Sequence, residues 1–124
     1  MTHIAAQNAP TFQLPGTTFT GLAAPSRGSK ENAVWRVRLD PGTPARPHQL
    51  TREEVFVVTM GSAIATVAGK DHRLNAGDSL VVPAFTDLSL ANPFGDFFEA
   101  IAVLPVGASA ILEGGEPFAP PWSL

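Results

Sequence analysis

The chain has no cysteine. Disulfides, thiolate catalysis, iron–sulfur clusters and thiolate-held zinc are therefore excluded, and any metal would rest on His, Asp or Glu. A basic patch is also missing: eight Lys and Arg against eleven Asp and Glu give a formal charge of -3, and only Arg36 and Arg38 lie close together on one strand face. Binding to a phosphate backbone needs such a patch, so nucleic acid is not an expected partner. No apolar run approaches the length of a membrane span, and Met1 to Pro10 lacks the basic, apolar, small-residue order of a signal segment. A soluble cytoplasmic protein with no membrane partner is the expectation. Sustained helical periodicity with caps is absent too, which leaves little or no long helix. At 124 residues the chain can close one core but not two of ordinary size.

What the chain has in quantity is turn residues. Twelve Pro and eleven Gly cut it into short runs rich in Val, Ile, Phe and Thr, the signature of an all-β protein. Glu31 to Asp40 alternates, with Trp35, Val37 and Leu39 on one face and Arg36 and Arg38 on the other, as a half-buried strand requires. Glu54 to Met60 is apolar on both parities, Phe56 and Val58 against Val55 and Val57. One face fits the core, and the second apolar face suggests a homodimer. Further strands are expected over Ala63–Ala68, His72–Leu74, Ser79–Val82, Asp87–Asn92 and Phe97–Leu104, with a hairpin connection at Gly69-Lys70-Asp71. Thr11–Leu14 and Thr17–Leu22 read as additional edge strands. The tail from Gly114 carries Phe118 and Trp122 among Gly115, Pro117, Pro120 and Pro121, which points to docking on the barrel or on a partner subunit. Residues 1–30 are thus edge strands and loop, 31–112 the barrel, and 113–124 a docking tail.

Two spaced motifs carry the chemistry. Gly42 to Gly61 reads G-x5-H-x-L-x3-E-x6-G, and Gly77 to Asn92 reads G-x5-P-x-F-x2-L-x3-N. Together with the stretch Ala76-Gly77-Asp78-Ser79-Leu80-Val81-Val82-Pro83-Ala84, this paired frame resembles the cupin superfamily over residues 31 to 104. The resemblance implies a double-stranded β-helix, a jelly-roll barrel of antiparallel sheets.

The same resemblance implies three histidines and a glutamate converging on a divalent ion. Here His48 and Glu54 stand in frame, while Leu50 and Leu88 fall where the second and third histidines are expected. Leucine has no lone pair, so half of the coordination is lost. No cofactor is expected, and a weakly held divalent ion on His48 and Glu54 is the alternative. His48 and Glu54 are the catalytic candidates, either as a hydrogen-bonded acid–base pair or as the remnant of a metal site. Leu50, Phe56, Phe85 and Leu88 would wall an apolar ligand pocket or fill the barrel. Arg38 and Arg36 point outward toward acids such as Glu53 or Glu99; with the strand parity reversed, Arg38 enters the pocket and reads a carboxylate or phosphate. Arg46, Gln49 and Thr51 flank the first motif, and Thr86 and Asn92 bracket the second, the Asn as a hydrogen bonder at a turn or strand end.

The leading functional expectation is a metal-independent protein binding a small organic molecule in the barrel cavity. The alternatives are a metal-independent isomerase, epimerase or lyase using the His48–Glu54 pair, a depleted metal cupin with dioxygenase-like activity, and a purely structural dimer.

Overall fold

The computed structural model describes residues 1–124. Eleven strands form two antiparallel sheets, and the only helices are three single 3-10 turns, at Ala6–Asn8, Pro25–Arg27 and Pro121–Ser123. The strands are β1 (Thr11–Leu14), β2 (Thr17–Ala23), β3 (Asn32–Leu39), β4 (His48–Leu50), β5 (Glu54–Met60), β6 (Ser62–Val67), β7 (Lys70–Asn75), β8 (Ser79–Val82), β9 (Leu88–Ala91), β10 (Phe98–Pro105) and β11 (Ala110–Leu112). One sheet has the order β1-β2-β3-β10-β5-β8, the other β11-β4-β9-β6-β7. The protein is all-β, a jelly roll of antiparallel strands.

Alternation along β3 sends Ala33, Trp35, Val37 and Leu39 into the core and leaves Arg36 and Arg38 half-buried on the other face. Its neighbour β10 has the same period, burying Phe98, Ala100, Ala102 and Leu104. Small alanines on this central strand and on β6 (Ala63, Ala65) leave volume for Trp35 and Phe56 in a contiguous core of 18 residues.

The motif glycines are backbone devices. Gly42, Gly61 and Gly77 all have left-handed φ, of 81°, 73° and 93°, and a Cβ on Gly61 would strike the Phe97 carbonyl oxygen. The β6–β7 hairpin turns through Ala68 and Gly69, both at positive φ, with Val67 opposite Lys70. That is the two-residue turn of a twisted hairpin, one residue earlier than the expected connection.

Asn92 ties the loops at one end. It is fully buried; its Nδ2 donates to Leu39 O (3.1 Å) and Asp96 O (2.8 Å), and its Oδ1 accepts from Phe94 N (3.1 Å). Its backbone N–H donates to Thr43 O (2.9 Å), and its carbonyl accepts from Gly42 N (2.7 Å).

The C-terminal tail docks on its own barrel. Trp122 stacks on Phe19 with centroids 3.6 Å apart and an interplanar angle of 1°, and meets Phe12 and Trp35 edge-on. Two strands escaped the sequence pattern: β4 and β11, three residues each, which pair with one another. Segments so short show no period.

Candidate functional site

The inner face of β5 carries Glu54, Phe56 and Val58, all buried, with Val55 and Val57 turned outward. Glu54 is therefore a carboxyl in a hydrophobic core. It is 3 % exposed, lies opposite Val82 of β8, and its Oε1 has no hydrogen-bond partner. Burial pushes its pKa from the ordinary 4.5 up to about 8, because a charge in that setting loses its hydration with nothing to replace it. At neutral pH the side chain is a neutral acid.

His48 starts β4 and faces Leu88 of β9 in the one register pair that joins these strands. Its Nδ1 lies 3.0 Å from Arg46 O. A carbonyl oxygen only accepts, so Nδ1 carries the proton and, in the neutral ring, Nε2 holds the free lone pair. The expected His48–Glu54 pair is not formed: the imidazole proton goes to the backbone, and Glu54 has no partner at Oε1.

The other sequence candidates separate as well. Leu50, Phe56 and Leu88 are 5 %, 4 % and 1 % exposed and belong to the contiguous core; they fill the barrel. Phe85 is 62 % exposed and walls no interior pocket, because the turn between β8 and β9 holds it at a left-handed φ of 55°, its N–H donating to Leu50 O (2.8 Å). Such a conformation is uncommon for an aromatic residue. Arg38 is likewise not a pocket residue. The strand parity holds it on the outer face, 3.7 Å from Glu99 and stacked over Phe97 at 3.9 Å. Of the residues flanking the first motif, Arg46 donates to Pro15 O and the Thr51 hydroxyl accepts from Ser109 N.

The donors present do not fit a closed metal centre. A divalent ion between β4, β5 and β9 would find His48 and Glu54, but Leu50 and Leu88 offer it no lone pair. Nowhere do three His, Asp or Glu side chains gather closely enough to hold an ion.

What the structure does build beside His48 is a cleft of about 510 Å³. Its polar lining comprises Gln49, Thr66, Asp87, Ser89 and Glu113; Pro47, Ile111 and Leu112 supply apolar surface, and His48 and Leu88 stand at its border. The cleft lies across β11, β4, β9 and β6, between the β6–β7 hairpin tip at Gly69 and the turn at Gly114. Asp87 and Ser89 flank Leu88, so strand parity places them on the face opposite that leucine. That was a legible signal. Thr66 and Glu113 join them only through sheet pairing and had none.

A family model described as Cupin domain matches residues 35–104. The chain belongs to the cupin family. No curated protein matches this cupin. Among solved structures it is similar to the polyketide cyclase RemF from Streptomyces resistomycificus, with a TM-score of 0.77 and 16 % identity, over 90 % of this chain and 84 % of that one. It is also similar to KdgF from Halomonas sp., with a TM-score of 0.69 and 21 % identity, over 82 % and 89 % of the two chains. A salicylate 1,2-dioxygenase from Pseudaminobacter salicylatoxidans gives a TM-score of 0.72 at 21 % identity, over 86 % of this chain but only 33 % of the dioxygenase. The cupin thus spans about a third of that enzyme's length, and all three likenesses lie at the level of fold. No helix is long and apolar enough to cross a membrane.

Proposed function

We propose that this cupin binds a small organic molecule without a metal, and that the ligand occupies the His48 cleft rather than the barrel interior. The observation carrying this reading is the cleft of about 510 Å³ itself, where Gln49, Thr66, Asp87 and Ser89 share the outer face of the five-stranded sheet next to His48. Convergent polar groups beside apolar surface, in a cavity of small-molecule size, are what a ligand site requires. The interior offers the competing location, but Leu50, Phe56 and Leu88 are packed into the core there. The acid–base enzyme reading loses its premise with the absent His48–Glu54 contact.

Titration of the ¹⁵N-labelled protein with a panel of small polar molecules tests the proposal. Ligand-induced amide shifts should cluster at residues 47–49, 66–69, 87–89 and 111–114, and Gln49→Ala should weaken the binding by about three- to tenfold. Shifts confined to the barrel interior, or binding indifferent to Gln49→Ala, would overturn it.

We also infer a homodimer built on the outer face of the six-stranded sheet. Val34, Val55, Val57, Val81, Ile101 and Val103 share that face by register, with Val57 40 % and Val81 56 % exposed. A contiguous apolar face of this kind is usually covered.

A further inference from the structure

We propose that the His48 cleft selects an organic cation, a molecule with an ammonium head and an apolar body, over neutral or anionic molecules of the same shape. The inference rests on the cleft being the binding site and adds the chemistry of its ligand.

The lining's hydrogen-bond donors are largely spent within the protein. His48 uses Nδ1–H on Arg46 O (3.0 Å). The Thr66 hydroxyl donates to Asp71 Oδ1 (2.6 Å), and the Gln49 amide donates to Asp87 Oδ1 (2.8 Å). What the side chains leave toward a ligand is chiefly acceptors: the Thr66 lone pairs, Gln49 Oε1, the second Asp87 oxygen and the Glu113 carboxylate. Among the side chains, only the second Gln49 N–H and the Ser89 hydroxyl can still donate.

Charge points the same way. Asp87 and Glu113 line the cleft, Asp71 stands behind Thr66, and no Lys or Arg belongs to the lining; Lys70 follows Gly69 at the hairpin tip. A bound carboxylate would meet like charge and few donors. An ammonium group brings three donors and one positive charge to a surface poor in side-chain donors and without a cationic side chain. The acidic groups and His48 are too dispersed to close on a metal ion, which suits a larger organic cation. Ile111 and Leu112 offer apolar surface to its body.

Three probes of one shape separate the possibilities: benzylammonium, benzyl alcohol and benzoate, each titrated against the ¹⁵N-labelled protein at neutral pH and low salt. Benzylammonium is expected to bind at the cleft about fivefold or more tighter than the other two. Asp87→Asn and Glu113→Gln should each weaken it by about three- to fivefold, and leave benzyl alcohol unchanged, as should about 0.5 M NaCl. Glu113 is exposed in a turn, so its variant stays informative even if Asp87→Asn perturbs folding. If benzyl alcohol and benzoate shift the cleft amides as tightly as the cation, and Gln49→Ala weakens that binding, the cation inference falls while the cleft remains the binding site. If no probe shifts a cleft amide, both fall.

Discussion

Replacing Glu54 with glutamine is expected to stabilise the protein at alkaline pH and to leave it nearly unchanged at acid pH. Folding holds the carboxyl in the core, opposite Val82 and with Oε1 unpaired, and raises its pKa from 4.5 to about 8. Below pH 4.5 both the folded and unfolded chains carry the proton, and burial of the charge costs nothing. Between 4.5 and about 8 the unfolded chain releases the proton while the folded chain keeps it. Stability then falls with rising pH by about 1.4 kcal/mol per pH unit. Above about 8 the loss is complete, at roughly 5 kcal/mol, a large share of the ~5–15 kcal/mol that holds a typical domain together. Glutamine keeps the shape and the unpaired polar oxygen but cannot ionise. Urea unfolding followed by tryptophan fluorescence, with Trp35 buried in the core, measures both proteins. At about pH 5 the two should agree within ~1 kcal/mol, and at about pH 8 the variant should lead by roughly 3–5 kcal/mol. Groups common to both proteins cancel in the difference. A Glu54→Gln effect that is the same at both pH values would refute a buried neutral acid.

Three further outcomes are expected. Asn92→Ala removes two donated bonds and one accepted bond at a fully buried site, and should cost roughly 2–4 kcal/mol in the same urea assay with an unchanged slope. Trp122→Ala breaks the stack on Phe19 and should cost roughly 2–4 kcal/mol, with loss of near-ultraviolet circular dichroism; an effect below about 0.5 kcal/mol would mean the tail does not support the barrel. The double variant Val57→Lys, Val81→Lys should convert a dimer to a folded monomer in sedimentation velocity, and a monomeric parent would refute the apolar-face interface.

Much of the architecture was legible in local pattern. The two-residue period from Glu31 to Asp40 put Trp35 inside and favoured Arg38 outside, and the resemblance to the cupin frame implied an inward Glu54. Glycines at 42 and 77 marked turns, and both take left-handed φ, which only a residue without Cβ adopts freely. Where the chain ran short of period, reading failed: β4 and β11 have three residues each, and Phe85 sits in a turn whose left-handed φ reversed the expected direction of its ring.

The site shows the same division more sharply. The paired motif frame in the sequence by itself implied, through its resemblance, a cupin barrel with Glu54, Leu50 and Leu88 turned inward, and residue chemistry showed how few metal donors that frame keeps. Only the tertiary structure decided that His48 bonds to Arg46 O rather than to Glu54, that the leucines fill the core, and that Thr66, Asp87 and Glu113 meet around one cleft. Those outcomes depend on which strands pair across the sheets and on what space remains between them, and such non-local contacts leave no spacing in the chain to be read.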